Sequence, residues 1–129
     1  MNAIKAVVID DNRLNREIIT RTLGAQGIAT FQAEDAVKGY REVERNNPHL
    51  VIIDVVLPGE LDGVGLCRML RNDPQYQKCV IVMITASDRK KEADRALSAG
   101  ADILIGKPFS PKQFWTQINS LLKDKRIEQ

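Results

Sequence analysis

Apolar runs of four to six residues alternate along the chain with longer stretches whose apolar positions recur at spacings of three and four. Continuous short runs suit strands covered on both faces, whereas the three-and-four spacing collects residues on one side of a helix. Five strand–helix rounds fit, which predicts an α/β domain built on a parallel sheet. The expected strands are residues 4–9 (IKAVVI), 28–33, 50–53 (LVII), 80–84 (VIVMI) and a short one at 103–105. The helices fall at 13–26, 34–46, 63–71, 89–99 and 111–123. Their apolar faces are Leu14, Ile18, Ile19 and Leu23; Ala36, Val37, Tyr40 and Val43; Leu66, Met69 and Leu70; and Phe114, Ile118, Leu121 and Leu122.

Punctuation residues support these limits. Gly24 and Gly27 close the first helix, Asn46-Asn47-Pro48 the second and Gly100 the fourth, while Ser110 before Pro111 suits the start of the last. The 129 residues allow one domain, taken as 1–125 with 126–129 a tail or linker stub, and no second folded module. A composition of 43 % hydrophobic and 28 % charged residues is that of a chain that buries a core. The net charge of +2 is too small to argue for direct nucleic-acid binding.

Cys67, Cys79 and the single histidine, His49, lack metal-ligand spacing and read as two reduced thiols and a surface side chain. No run approaches the ~20 apolar residues of a membrane span. The N-terminal MNAIKAVVIDD reaches acidic residues too early for a secretory signal, so a cytoplasmic protein is expected.

Ligands of open parallel sheets bind beyond the carboxyl ends of the strands. The polar residues expected there are few: Asp10 and Asp11 after the first strand, Asp54 after the third, Thr85 after the fourth and Lys107 after the fifth. Three carboxylates brought together repel one another and call for a cation. Magnesium suits an all-oxygen site that keeps water and accepts a phosphate oxygen. Lys107 and the Thr85 hydroxyl would then receive an anion beside the metal, as phosphoryl transfer requires.

The segments VVIDD, VIIDVVLPGELDG, VIVMITA and GADILIGKPF, in this order and spacing, resemble the receiver domains of two-component response regulators over nearly the whole chain. The resemblance implies a flavodoxin-like doubly wound (βα)5 fold with strand order 2-1-3-4-5. It implies that Asp54 accepts a phosphoryl group from a sensor histidine kinase or a histidine phosphotransfer protein. Mg2+ would be held by Asp11 and Asp54 directly, by Asp10 through water and by the backbone carbonyl of Val56. Thr85 would bond a phosphoryl oxygen, Lys107 would pair with the phosphate, and the Lys107–Pro108 peptide would be cis. The output would be a conformational signal to a downstream protein or to a C-terminal output domain absent from this sequence, with no turnover of a separate substrate. Kinase recognition would involve Arg13, Leu14, Arg16 and Glu17. Lys90, Lys91, Arg95 and Asp102 would be solvated or would pair across a phosphorylation-dependent homodimer.

Three departures from the family pattern stand out. Asp54 and Asp62 are eight residues apart, one more than usual, with the extra residue in PGEL. Leu104 replaces the usual Tyr or Phe of the switch. Val56 and Ser87 offer no acid or amide to orient water, which implies slow loss of the phosphoryl group.

Taken singly, the residues have blander readings: Asp11 or Asp54 as a helix cap, Thr85 as an ordinary strand-end threonine and Trp115 as packing. A haloacid-dehalogenase-like phosphatase would need a second aspartate where Val56 stands. A flavin carrier would need a hydroxyl- and glycine-rich loop in place of DDNRLNR.

Overall fold

The computed structural model describes residues 3–86 and 89–127. Five strands, β1 (Lys5–Ile9), β2 (Ala29–Ala33), β3 (Leu50–Asp54), β4 (Val80–Thr85) and β5 (Ile103–Gly106), form one parallel sheet in the order β2-β1-β3-β4-β5. Helices α1 (Arg13–Gly24), α2 (Ala36–Asn46), α3 (Gly63–Asn72), α4 (Arg89–Ser98) and α5 (Pro111–Asp124) alternate with the strands, and a 3-10 turn at Pro74–Tyr76 precedes β4. This is the doubly wound, flavodoxin-like fold expected from the sequence.

Alternation along each strand divides the core in two. Val7, Ile9, Val51, Ile53, Ile81 and Met83 point to one face, where α2, α3 and α4 supply Val43, Cys67, Leu70 and Ala96. Ala6, Val8, Leu50, Ile52, Val82 and Ile84 point to the other, where α1 and α5 supply Ile19, Leu23, Phe114, Ile118 and Leu122. Each fully buried Ile, Leu or Phe contributes about 1.5–3 kcal/mol, and β1, β3 and β4 are buried along nearly their whole length.

Element ends differ from the sequence reading by one or two residues, each for a local reason. Asp35 is the N-cap of α2, its carboxylate accepting from the Lys38 amide, so the helix starts at Ala36 rather than residue 34. Residues 25–27 turn, with Gly27 at φ +79° and the Ile28 amide bonded to the Leu23 carbonyl, so α1 ends at Gly24.

Strands β3, β4 and β5 each run one residue further than expected, because the ladder continues through Asp54↔Ile84 and Thr85↔Gly106. Leu14 (65 % exposed), Ile18, Val37 and Met69, placed on apolar helix faces by their spacing, lie in the open, as does Leu97. The stripe that α1 and α2 bury is narrower than their apolar spacing suggests; Gly39 takes a buried place on α2, where a Cβ would press on the side chain of Ile9.

Strand order reverses between β1, which pairs with both β2 and β3, and that point opens a crevice at the carboxyl edge. Asp10 follows β1 there and Asp54 ends β3.

Candidate functional site

Each wall of the crevice is fixed by its own backbone. Asp10 donates its amide to the Ala33 carbonyl (3.1 Å), and its Oδ1 accepts the Asn12 amide at 2.8 Å. Asn12, not Asp11, caps α1, through Oδ1 to the Asn15 amide. Asp11 is therefore not spent as a cap; it is exposed, and its carboxylate has no hydrogen bond among the described residues. Asp54 does not cap a helix either, since Asp62 caps α3. Its Oδ1 instead accepts the Val56 amide at 2.9 Å.

Residues after Asp54 absorb the extra loop residue. Val55 donates to the Ile84 carbonyl and Gly63 donates back to Val55, pinning both ends, while Pro58, Gly59 (φ +97°) and Glu60 bulge into solvent. Gly63 sits so close to the strand end that a Cβ there would lie 1.9 Å from the Asp54 carbonyl oxygen. The insertion leaves Asp54 in register with Ile84.

The other side of the crevice comes from β4 and β5. Thr85 is 2 % exposed and its carbonyl accepts the Lys107 amide at 2.7 Å. Lys107, followed by a cis peptide to Pro108, extends Nζ to 2.7 Å from Oδ2 of Asp54 and 3.4 Å from Oδ2 of Asp10. Leu104 is half-buried against the α3–α4 side of the core. Ser87, the other residue singled out near this edge, lies outside the described residues. Val56 exposes 70 % of its surface.

One oxygen each of Asp10, Asp11 and Asp54 lies within 4.8 Å of the others. Burial raises the Asp10 carboxyl above its ordinary range; the Asn12 amide pulls it back in part, and the Asp54 charge adds to the rise. For Lys107, burial acts to lower the ammonium, but the hydrogen bond and charge of Asp54, then Asp10, outweigh it and raise it. Oδ2 of Asp10 is the one buried side-chain polar atom among the described residues with no hydrogen bond.

That oxygen is the feature that tests whether a metal fits: it makes no hydrogen bond, its neighbouring charge being the Lys107 ammonium at 3.4 Å, and a buried acceptor left unmade carries a penalty. A divalent cation bonded to it would remove that penalty. Oxygens on one octahedral Mg2+ stand about 3 Å apart where adjacent and about 4.2 Å where opposite, so three carboxylate oxygens within 4.8 Å of one another would share an ion by closing further or with one of them acting through water. An all-oxygen donor set is the kind a hard divalent cation takes. These residues can hold one.

Of the other residues named from the sequence, most lie away from this site and Arg16 borders it. His49 is at the opposite edge of the sheet, its Nδ1 accepting the Lys5 amide at 3.0 Å. Trp115 packs on the α1–α5 side of the core. Asp102, grouped with Lys90, Lys91 and Arg95 as a candidate for pairs between copies, is engaged within the chain: it accepts from Arg71 (2.9 Å), Lys125 (3.1 Å) and the Ile81 amide (2.8 Å). Arg95 lies near Glu92 and Asp62. Arg13 pairs with Glu17. Arg16, read as part of a partner surface, donates from Nη1 to the Asp10 carbonyl at 2.7 Å and from Nε to Gln32 Oε1 at 3.0 Å. No sequence signal distinguished Arg16 from its exposed neighbours.

The sequence model of the response regulator receiver domain matches residues 6–119. The response regulator MprA of Mycobacterium sp. (strain KMS) is 33 % identical over 120 residues, covering 93 % of this chain and 51 % of that protein. The crystal structure of NtrX from Brucella abortus superposes with a TM-score of 0.89 at 27 % identity, covering 98 % of this chain and 28 % of that one. Chemotaxis protein CheY4 of Vibrio cholerae shares the fold, with a TM-score of 0.87 at 22 % identity over 94 % of this chain and 100 % of its own.

The chain belongs to the response regulator receiver domain family, and it is a signalling domain of the two-component kind. It spans about half the length of the curated relatives it matches. Among the described residues no helix is long and apolar enough to cross a membrane.

Proposed function

We propose that this domain is a phosphorylation-driven switch in which Asp54 accepts a phosphoryl group from a phosphohistidine of a sensor histidine kinase or a histidine phosphotransfer protein. The observation that carries the reading is the grip on Asp54: Oδ1 is held by the Val56 amide and Oδ2 by Lys107, at the mouth of a crevice that also holds Asp10 and Asp11. A side chain held at both oxygens is pre-oriented for attack.

In the reaction a carboxylate oxygen of Asp54 attacks phosphorus, and a P–O bond forms as the P–N bond to the imidazole breaks. The electron pair returns to the imidazole nitrogen, leaving an acyl phosphate on Asp54. Lys107, freed from the carboxylate, balances charge on the phosphoryl oxygens. Thr85, buried at the end of β4, offers its hydroxyl to one of them.

Asp10, Asp11 and Asp54, with the Val56 carbonyl, would hold Mg2+. When bound, the ion offsets the negative charge gathered by the carboxylates and the phosphoryl group. The domain would work in the cytoplasm beside its kinase, without contacting nucleic acid or membrane itself, as a monomer or as a homodimer formed on phosphorylation. Its output would be a change in the relative stability of two conformations, sensed by a downstream protein or by a further C-terminal domain.

Intact mass after incubation with acetyl phosphate and Mg2+ tests the reading. One added phosphoryl group that disappears with chelator supports it. An unmodified, folded chain under the same conditions contradicts it.

A further inference from the structure

The peptide that joins Asp10 to Asp11 is a rigid plane with one aspartate Cα at each end, so the tilt of that plane sets where both carboxylates start. Its carbonyl oxygen belongs to Asp10, and Arg16, on the first turn of α1, donates to it at 2.7 Å. The same guanidinium reaches back from Nε to Gln32 Oε1 on β2 at 3.0 Å. One planar fork therefore ties the acidic turn to α1 and to the edge strand, a geometry that a point-charge ammonium cannot reproduce.

The other fixed atoms of Asp10 have their own partners: its amide on Ala33 and its Oδ1 on Asn12. Oδ2 is left facing the crevice. Asp11 has no side-chain hydrogen bond to orient it among the described residues, so the pinned peptide is what restrains its direction.

We infer that Arg16 is a positioning residue for the divalent-cation site: it orients the Asp10–Asp11 peptide and, through it, both carboxylates, while touching neither the cation nor the phosphoryl group. The inference rests on the metal-site reading above. It gives Arg16 an inward role, through the two bonds of its fork, besides the partner contact that the resemblance implies. Groups one step behind metal ligands typically change affinity by about 10- to 100-fold when removed, and that is the size expected here.

The experiment is calorimetric titration of the intact domain with MgCl2, without a phosphodonor, on the wild type and on Arg16→Ala, Arg16→Lys, Arg21→Ala and Asp11→Asn. Melting temperature in chelator is recorded for each. Arg21 is exposed on the same helix and serves as the control for helix loss. Arg16→Ala should raise the Mg2+ dissociation constant about tenfold or more. Arg16→Lys should recover part of the loss by keeping one donor, and Arg21→Ala should bind like wild type. These shifts should appear even where melting in chelator matches that of Arg21→Ala.

Mg2+ affinity in Arg16→Ala equal to wild type, with Asp11→Asn strongly weakened, overturns the role of Arg16 while the metal site stands. Wild type that binds no Mg2+, or Asp11→Asn that binds it unchanged, overturns the metal-site reading and this inference with it. If Arg16→Ala does not fold, Arg16→Lys decides: affinity equal to wild type contradicts the role of the fork.

Discussion

Lys107 Nζ lies 2.7 Å from Oδ2 of Asp54, across a crevice whose two walls are fifty-three residues apart in the chain. The pair is mostly buried, at 20 % and 9 % side-chain exposure, so solvent screens it little. Removing the lysine leaves Asp54 and Asp10 without their shared cation. Lys107→Ala should slow phosphorylation by acetyl phosphate about a hundredfold or more, the range seen when one charge-stabilising group is lost. Lys112→Ala, on the exposed first turn of α5, should leave the rate unchanged. The check is the initial rate of adduct formation at fixed Mg2+.

Gly63 is required by proximity rather than by φ. A methyl group there meets the Asp54 carbonyl, a backbone atom that cannot swing away as a side chain would. Gly63→Ala must shift either the start of α3 or the end of β3. The expected cost is about 3 kcal/mol, the upper end of ordinary overpacking, together with loss of the Val56–Asp54 restraint. Urea unfolding and the phosphorylation rate should both fall. Gly24→Ala, which has open space around it, should be neutral or stabilising.

Arg71 spends its fork on the fold. It donates to the carbonyls of Gly100 (2.7 Å), Cys79 (2.9 Å), Gln77 (3.1 Å) and Tyr76 (3.3 Å) and to Asp102 (2.9 Å). These bonds tie α3 to the starts of β4 and β5. Arg71→Ala takes one donor from each of the four carbonyls and leaves Asp102 to Lys125 and the Ile81 amide, and should cost about 1–3 kcal/mol, the range for removing one partner of buried hydrogen bonds. Arg71→Lys should rescue little, since an ammonium cannot span those acceptors. Chemical denaturation measures both.

Burial pushes the thiol of Cys79 up to about 12 and that of Cys67 to about 11, from the usual 9.0, with nearby Arg71 offsetting only part. At pH 8 both should resist iodoacetamide in the folded domain and react once it is unfolded. The linkage has a definite sign. Between about pH 9 and 11 the unfolded chain gives up thiol protons that the folded chain retains, so this contribution to stability is complete below about 9 and declines as pH rises. A Cys67→Ala, Cys79→Ala variant should start less stable at pH 7 and lose less stability than wild type between pH 8 and 10.5.

What was legible in the sequence was what short-range pattern encodes. The strands announce themselves because β1, β3 and β4 are covered on both faces and so are uninterrupted in hydrophobicity. The acidic and basic residues of the crevice were legible because strand ends in a parallel sheet all face one edge. Leu14, Val37 and Met69 are exposed despite their apolar spacing, because periodicity cannot tell a buried stripe from an apolar flank.

The internal bonds of Arg16 and Asp102 were not legible, for the opposite reason. A charged residue on a helix or after a turn looks solvated until tertiary structure supplies a carbonyl or a guanidinium beside it. The 3-10 turn at Pro74–Tyr76 was passed over because three residues give no period to detect.

The central claim, that Asp54 carries the phosphoryl group, is tested most directly by trapping the acyl phosphate. After acetyl phosphate and Mg2+, borohydride reduction followed by peptide mapping converts a phosphorylated aspartate to homoserine and marks its position. The account predicts homoserine at residue 54 alone, absent when chelator is added or Asp54 is replaced by asparagine. Homoserine at Asp10 or Asp11 with Asp54 intact, or a phosphoryl group that resists reduction because it sits on serine or threonine, would contradict it.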